Sequence, residues 1–268
     1  MQYFQLKTGD EIPAIGFGTY TLTGAEGVEM IRKALEFGYR HLDTAEAYNN
    51  QPEIAEAIKK SRVSRKDIFL TSKVWHNHLR GEEVKKACEK ILEELKTDYL
   101  DLYLIHWPNP RVSVKETLQA MNELKKEGKI KNIGVSNFTV SHLEEMKEVS
   151  DVKVINNQVE YHPYFNRKDL LEYCREMDII LSAYSPVGRG EVFEDPVLKK
   201  IGKDHGKNEA QITLKWMVQK GIVVLPRSAN PEHIAQNIDL FGWELEPAEM
   251  KQIDNIQKEK RLIEPPIG

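Results

Sequence analysis

The amino-acid sequence predicts an α/β fold, a (β/α)8 barrel of the TIM type with an N-terminal β-hairpin and extra surface helices. Short apolar segments that suit strands alternate with longer segments that suit helices, which is typical of parallel strands joined by helices. The alternation gives eight strand–helix units, the number that closes a barrel. The 268 residues also match the roughly 250 residues of this fold. We therefore expect a single barrel domain over residues 1–268.

The N-terminal segment predicts a hairpin rather than a strand–helix unit. Residues 3–6 and 11–13 favour strands, and a short polar turn separates them. The first barrel strand is predicted at residues 14–20, where Gly16 and Gly18 permit close approach of backbone or ligand. The barrel is therefore expected to begin after the hairpin.

Seven further barrel strands are predicted from short runs of aliphatic and aromatic residues. They are residues 39–42, 68–74, 100–105, 130–135, 154–159, 179–184 and 222–225. Helices are predicted between them because apolar residues recur at helical spacing, as Val28, Ile31 and Leu35 do. The predicted helices are residues 25–37, 52–60, 81–95, 114–127, 140–148, 167–177, 196–205, 208–220, 231–240 and 247–256.

A doubly wound parallel sheet is the alternative arrangement of alternating strands and helices. Such sheets usually bind a nucleotide through a Gly-x-Gly-x-x-Gly turn that follows the first strand and opens a helix. Residues 16–21 lack the third glycine and do not open a helix directly. The barrel is therefore favoured.

Composition and charge narrow the class of protein. Hydrophobic residues make up 40% of the chain and charged residues 30%, which suits a water-soluble protein with a sizeable core. A net charge of -4 gives no general attraction to nucleic acid or to an anionic membrane. The sequence has neither a signal-peptide pattern nor a run that resembles a transmembrane helix. Cys88 and Cys174 are expected to be free thiols, which suits a reducing compartment, so we expect a cytoplasmic protein. We also expect a monomer without nucleic-acid or membrane partners.

Four polar residues lie at or just beyond the ends of three consecutive predicted strands. Asp43 directly follows one strand and Tyr48 lies a few residues beyond it, while Lys73 lies at the end of the next strand and His106 directly follows the third. Active sites of this fold lie at the C-terminal ends of the strands, so these side chains are expected to meet there. The ammonium of Lys73 is expected to favour the phenolate form of Tyr48, with Asp43 orienting Lys73. A neutral His106 could polarise a carbonyl oxygen. Each residue alone could be a cap, an ion-pair partner or a packing residue, but together they indicate catalysis.

The motifs around these residues give the chain a resemblance to the aldo-keto reductases over nearly its whole length. The matching segments are residues 38–45 with Tyr48, 71–75, 98–108, 133–138, 157–163 and 183–188. The resemblance implies an NAD(P)H-dependent enzyme that reduces aldehydes and ketones on a barrel, without a metal. It also implies that Tyr48 is the proton donor and that Asp43, Lys73 and His106 complete the catalytic tetrad. The chain is similar to the short microbial-type members, including 2,5-diketogluconate reductase-like enzymes.

The resemblance also implies cofactor and substrate contacts. Ser136, Asn137 and Gln158 correspond to residues that bind the nicotinamide carboxamide, and Tyr184 corresponds to the aromatic residue that stacks on the ring. The other implied cofactor positions are Thr19, Tyr20, Asp43, Ser185, Pro186, Val187, Gly188, Arg227, Ser228, His233, Gln236 and Asn237. The implied substrate contacts are Tyr20, Tyr48, Trp75, His106 and Trp107.

Three positions depart from the family pattern at the adenosine-phosphate end. Arg227 replaces the usual Lys, His233 replaces Arg, and Gln236 replaces Glu. Arg227 keeps the positive charge, whereas histidine is mostly neutral at pH 7. We therefore expect NADP(H) as the cofactor, with NAD(H) as the alternative.

Two further expectations concern the site as a whole. His76 and His78 occupy alternate loop positions without an evident set of Cys or carboxylate partners, so no metal site is predicted. The sequence ends at Gly268 without the C-terminal loop of longer family members, so an open pocket with broad carbonyl acceptance is expected.

A protein that senses nucleotide without catalysis is the alternative function. The potassium-channel β-subunit relatives on the same barrel are examples of that class. The intact tetrad of Asp43, Tyr48, Lys73 and His106 favours the enzyme. Loss of Tyr48 or Lys73 would have favoured the binding protein.

Overall fold

The computed structural model describes residues 1–266 and contains eight parallel strands that form a barrel. An antiparallel hairpin of β1, Tyr3–Gln5, and β2, Glu11–Pro13, precedes the barrel. The barrel strands are β3 Phe17–Gly18, β4 His41–Asp43, β5 Phe69–Val74, β6 Leu100–Ile105, β7 Ile130–Ser136, β8 Asn156–Glu160, β9 Ile180–Tyr184 and β10 Val223–Leu225. Each strand pairs with the next one along the chain, so the predicted fold class is confirmed.

Helices follow or connect the barrel strands and pack around them. They are α1 Gly24–Glu36, α2 Gln51–Ser61, α3 Gly81–Leu95, α4 Val114–Lys126, α5 Val140–Val149, α6 Lys168–Glu176, α7 Pro196–His205, α8 Glu209–Gln219, α9 Pro231–Ile238 and α10 Pro247–Asp254. In α1 the buried face contains Val28, Ile31 and Leu35, as the helical spacing predicts. Apolar faces of this kind form the layer between the helices and the strands.

The barrel closes between β10 and the residues just before β3. Ile15 pairs with Val224 in a parallel bridge, and the Gly16 N–H donates to the Val224 carbonyl at 2.9 Å. A Cβ atom on Gly16 would come within 2.6 Å of His41 Nδ1, and the His41 ring is buried. Glycine at this position therefore permits the close approach on which closure depends.

Several strand boundaries differ from the prediction, and those of the first two barrel strands matter most for the site. The first barrel strand is Phe17–Gly18 rather than residues 14–20, because the chain changes partners there: Ile15 pairs with β10, and Phe17–Gly18 pair with β4. The second barrel strand includes Asp43, which the prediction placed just after it. The backbone of Asp43 is therefore held by strand pairing with β5.

A second apolar cluster lies inside the barrel and joins it to the hairpin. Leu6 and Ile12 pack with Phe69, Leu102 and other inward-facing strand residues. Because Phe69 is the first residue of β5, the hairpin covers the N-terminal end of the barrel. The opposite end, where the strands finish, is left for the polar residues of the candidate site.

The two cysteines lie on helices that pack around the barrel. Cys88 on α3 and Cys174 on α6 are buried and unpaired, as predicted. Within residues 1–266, no helix has both the length and the apolar character needed to cross a membrane.

Candidate active site

The four residues predicted at the strand ends lie together at the C-terminal end of the barrel. Asp43 ends β4 and is paired with β5 two residues before Lys73. His106 directly follows β6, and Tyr48 lies in the short 310 turn Glu46–Tyr48 that follows β4. The parallel register of three adjacent strands therefore brings these side chains to one site.

Lys73 is fully buried, and its ammonium group has three oxygen neighbours within the site. Nζ donates to Asp43 Oδ1 at 2.6 Å, to the Thr44 carbonyl at 2.8 Å and to the Tyr48 hydroxyl at 3.5 Å. The second oxygen of Asp43 accepts a hydrogen bond from Gln158 Nε2 at 2.7 Å. A buried ammonium without partners would be strongly unfavourable, so these acceptors allow Lys73 to be charged inside the barrel.

Electrostatics keep the Tyr48 phenol protonated. Burial raises the pKa of Tyr48 well above its ordinary value of 10.0, and the charges of Asp43 and Tyr20 raise it further. Burial also lowers the pKa of Lys73, while Asp43 opposes that effect. The net direction for Tyr48 is thus opposite to the one expected from the Lys73 ammonium alone. The phenol keeps its proton at neutral pH and is available as an acid.

His106 is buried beside Tyr48 and is neutral at physiological pH. Burial lowers the pKa of His106 well below its ordinary value of 6.5, and the charges of Lys73 and His76 lower it further. A neutral imidazole has one N–H donor, which suits a hydrogen bond to a carbonyl oxygen. The His106 ring centroid lies 5.8 Å from that of Tyr48, so both side chains border the same space.

Aromatic side chains surround this space on two sides. Trp75 lies edge-to-face against His106 with a ring-centroid distance of 5.0 Å, and Tyr20 lies against Tyr48 at 5.1 Å. Tyr20 is 57% exposed, which places it at the entrance. Trp107 is only 8% exposed, so little of its surface is free for the predicted substrate contact.

The residues predicted to bind a nicotinamide form a second group at the ends of β7, β8 and β9. The Tyr184 hydroxyl donates to Asn137 Oδ1 at 2.7 Å, and Asn137 Nδ2 donates to the His106 carbonyl at 3.0 Å. The Ser136 hydroxyl donates to the Gln158 carbonyl at 2.8 Å. A half-buried phenol ring beside amide and hydroxyl groups fits a planar ring that carries a carboxamide. Gln158 also bonds Asp43, so this group adjoins the tetrad.

The loop after β9 supplies the predicted Ser185, Pro186, Val187 and Gly188. Ser185 and Gly188 both have left-handed backbone, with φ values of 49° and 56°. The loop therefore folds tightly directly after Tyr184 and leads into the 310 segment Gly188–Glu194. The remaining early position, Thr19, is fully buried and donates its hydroxyl to the Asp43 carbonyl at 2.9 Å.

The predicted phosphate-binding residues lie on the outer rim, after β10. Arg227 is exposed, and its guanidinium donates to the Tyr20 carbonyl at 3.1 Å and to the Thr21 hydroxyl at 2.5 Å. Ser228 follows it, and His233 is exposed on α9. A guanidinium beside a hydroxyl at the start of a helix suits a phosphate group. The two other predicted positions on α9 differ from Arg227. The Gln236 side-chain oxygen accepts a hydrogen bond from Asn208 Nδ2 at 3.1 Å, and Asn237 is only 8% exposed.

Two carboxylates at this end of the barrel were missed by the sequence prediction. Glu46 accepts the Trp75 N–H at 2.8 Å and bonds His78 Nδ1 at 2.6 Å. Glu160, at the end of β8, accepts the backbone N–H groups of Leu262 and Ile263 at 2.7 and 2.9 Å. The chain after α10 therefore crosses the end of β8. This segment covers part of the barrel end at which the sequence predicts an open pocket.

Two histidines, His76 and His78, lie in the loop after β5. His78 has a carboxylate partner, Glu46, which the sequence prediction did not provide. Within residues 1–266, no group of three or more His, Cys, Asp or Glu residues is arranged to hold a metal ion. The His76 ring lies against the Trp75 ring, with a ring-centroid distance of 4.6 Å.

The barrel and the Asp43–Lys73–Tyr48–His106 site together define an oxidoreductase of the carbonyl-reducing class. The model of the Aldo/keto reductase family matches residues 14–258, and the chain belongs to this family. Glyoxal reductase of Bacillus subtilis (strain 168) is 42% identical over 259 residues, which are 96% of this chain and 94% of the relative. The 9,11-endoperoxide prostaglandin H2 reductase of Trypanosoma cruzi (strain CL Brener) is 38% identical and covers 96% of this chain and 92% of its own.

Solved structures give the same result for the fold. MGS-M4, an aldo-keto reductase from a Medee basin deep-sea metagenome library, superposes with a TM-score of 0.95 at 37% identity, covering 97% of each chain. The aldose reductase of Schistosoma japonicum superposes with a TM-score of 0.94 at 34% identity, covering 98% of this chain and 94% of its own. The family predicted from the motifs is therefore confirmed, and carbonyl reduction is the activity that it supports.

Proposed function

We propose that this enzyme reduces small aldehydes and ketones to alcohols, with NADPH as the preferred cofactor and Tyr48 as the proton donor. The observation that carries the proposal is the hydrogen-bonded series Gln158–Asp43–Lys73–Tyr48. This series ends on a protonated phenol in the space that His106 also borders. Such an arrangement supplies a proton donor, a nearby cation and a neutral hydrogen-bond donor to one carbonyl oxygen.

The proposed roles of the tetrad follow from its charges. A bound nicotinamide would supply the hydride that reduces the carbonyl carbon. The carbonyl oxygen would accept hydrogen bonds from Tyr48 and from the neutral His106 and would take its proton from Tyr48. Lys73, at 3.5 Å, would stabilise the phenolate that remains, and Asp43 would keep Lys73 oriented.

The proposed cofactor site extends from the tetrad to the rim. Ser136, Asn137 and Gln158 would bind the carboxamide, and Tyr184 would stack on the ring. The loop 185–188 would lie along the pyrophosphate, beside Thr19 and Tyr20. Arg227 and Ser228 would bind the 2′-phosphate, with His233, Gln236 and Asn237 nearby. The exposed guanidinium of Arg227 supports NADPH over NADH, because NADH lacks that phosphate.

The substrate, assembly and location are part of the same proposal. Tyr20, Trp75 and the edge of Trp107 would form apolar walls suited to small carbonyl compounds. The glyoxal reductase relative supports dicarbonyls as one such class. We also propose a monomer with a single domain. We propose a cytoplasmic location because the buried free thiols suit a reducing compartment.

Steady-state assays with NADPH and NADH would test the proposal. Purified enzyme should oxidise NADPH when glyoxal, methylglyoxal or an aromatic aldehyde is added. At equal cofactor concentration, it should oxidise NADPH faster than it oxidises NADH. Tight binding of NADPH without turnover on any of these carbonyls would instead favour the nucleotide-sensing alternative.

A further inference from the structure

We propose that Glu46 is a positioning residue for carbonyl reduction. Its carboxylate fixes the turn 75–78, and with it the Trp75 wall of the substrate cleft, to the segment that carries Tyr48. The inference rests on the proposed function and extends it to a residue outside the tetrad. Glu46 acts through Trp75 and does not contact the reacting atoms.

The two carboxylate oxygens of Glu46 bind the two ends of one four-residue turn. Oε2 accepts the Trp75 N–H at 2.8 Å, and Oε1 bonds His78 Nδ1 at 2.6 Å. The His78 N–H donates to the Trp75 carbonyl at 2.9 Å and closes the turn. The Glu46 side chain is 18% exposed, so water weakens these bonds less than it weakens bonds on an open surface.

Strand geometry explains why a side chain is needed here. The Phe69 N–H donates to the Arg40 carbonyl at 2.7 Å, across the edge that β5 shares with β4. Trp75 lies six residues after Phe69 and directly follows the end of β5, so if the strand period of two continues, its N–H faces the same edge. β4 has already ended at Asp43, and the chain there has turned into the 310 segment. Glu46 supplies the acceptor that β4 no longer provides.

The turn is held from the other side by a separate contact. Asn109 Nδ2 donates to the His76 carbonyl at 2.9 Å. Between these two contacts, the Trp75 ring packs against the rings of His76 and His106. The ring-centroid distances are 4.6 Å to His76 and 5.0 Å to His106. Loss of Glu46 would therefore free the turn on the side nearest Tyr48 and widen the cleft between Trp75 and the phenol.

This arrangement predicts that binding of the carbonyl suffers more than the chemical step. Tyr48 and Lys73 keep their own contacts when Glu46 is removed, so the proton donor and its cation remain in place. The displaced Trp75 wall would no longer hold the substrate near the donor. Because the contact with the Trp75 wall is shared by the bound carbonyl and its transition state, we expect a clear loss in kcat/KM that is carried mainly by KM.

The test compares Glu46→Ala, Glu46→Gln and Glu116→Ala. Glu116 Oε1 also accepts a backbone N–H, that of Gly81 at 2.9 Å, but on the outer surface at the start of α3, so it is a matched control. For each variant, kcat and KM are measured with glyoxal and with an aromatic aldehyde. The dissociation constant of NADPH and the melting temperature are measured alongside.

Glu46→Ala should raise KM for both aldehydes by about 10-fold and leave kcat within about 3-fold of the wild type. The carboxamide of Glu46→Gln keeps an acceptor for Trp75, so it should recover most of the wild-type KM. NADPH affinity should not change in either variant, and Glu116→Ala should match the wild type throughout. An unchanged KM in an active Glu46→Ala enzyme would overturn this inference alone. Absence of turnover in the wild type would overturn the proposed function instead.

Discussion

The inner site and the outer rim of the barrel hold their charged side chains in opposite ways. Inside, Lys73 is fully buried, and Asp43 uses both carboxylate oxygens for bonds to Lys73 and Gln158. On the rim, Arg227 and His233 are exposed, and Arg227 bonds the loop after β3. Charges act strongly in a buried site and weakly where water and salt screen them. The chemical step should therefore depend steeply on the inner residues, and cofactor choice more gradually on the rim.

The largest effect is expected for Tyr48→Phe, which removes the proposed proton donor and leaves the ring in place. We expect kcat to fall by about 10²–10⁴-fold, the usual contribution of general acid catalysis. NADPH affinity should persist, because the phenol belongs to the carbonyl site. Steady-state kinetics with glyoxal and a binding titration with NADPH would measure both quantities.

Tyr103→Phe is a matched control for this experiment. Tyr103 lies on β6, is fully buried, and its hydroxyl has no hydrogen-bond partner among residues 1–266. Removal of this hydroxyl should leave kcat near that of the wild type. Near-normal turnover in Tyr48→Phe, or an equal loss in Tyr103→Phe, would sink the assignment of Tyr48 as the proton donor.

Lys73→Met should have the next largest effect. The substitution removes the cation that is proposed to stabilise the phenolate left after proton transfer, so we expect kcat to fall by about 10²-fold. It also removes a cation that lies 3.5 Å from the Tyr48 hydroxyl, and a nearby cation favours the phenolate, so the pKa of Tyr48 should rise further. If Tyr48 is the proton donor, reduction proceeds below the pKa of Tyr48 and is lost as pH rises through it.

A pH–rate profile from pH 6 to 10 would test this assignment. Any alkaline decline seen in the wild type should move to higher pH in Lys73→Met. Since burial lowers the pKa of His106 well below 6.5, no loss of rate from His106 protonation is expected near neutral pH. Retained activity with an unchanged profile in Lys73→Met would contradict the role given to Lys73.

The inner site was predictable because strand ends are marked by residue type. In β5 an apolar start at Phe69 changes to Lys73 within five residues, and parallel pairing then fixes which neighbours Lys73 meets. Asp43 and His106 are marked in the same way on β4 and β6. The length of the first strand was not predictable, because the split of its pairing between β10 and β4 depends on closure of the whole barrel.

Glu46 and Glu160 were not predictable for a different reason. Their partners include backbone N–H groups, those of Trp75, Leu262 and Ile263, that are far away in the sequence. Every residue except proline carries such a group, so the sequence does not mark which one a carboxylate will meet. The sequence also did not show that the pKa of Tyr48 is raised, because this shift depends mainly on burial of the phenol and not on the presence of Lys73.

On the rim, Arg227→Ala should weaken NADPH binding by about 10–100-fold, a size consistent with the loss of charge-assisted hydrogen bonds to a phosphate. NADH binding should change little, because NADH lacks the 2′-phosphate. The effect on NADPH should shrink at high salt, in keeping with an exposed charge. Titrations of both cofactors at low and high salt would measure these differences.

Arg80→Ala is a matched control for Arg227→Ala, since Arg80 is also exposed but precedes α3, away from the rim. It should leave both affinities unchanged. An equal loss of NADPH and NADH affinity in Arg227→Ala would show that Arg227 does not read the phosphate. The contact between Arg227 and the Tyr20 carbonyl would then be its main role.

The smallest effect is expected for His233→Arg, which places a permanent charge on α9. A guanidinium offers five N–H donors in a fixed fork that matches a phosphate, whereas an imidazole offers at most two. The variant should therefore bind NADPH several-fold more tightly than the wild type. NADH affinity should not change, because NADH lacks the 2′-phosphate. Titrations of both cofactors separate the outcomes: a gain that extends to NADH, or no gain with NADPH, would place His233 outside the phosphate site.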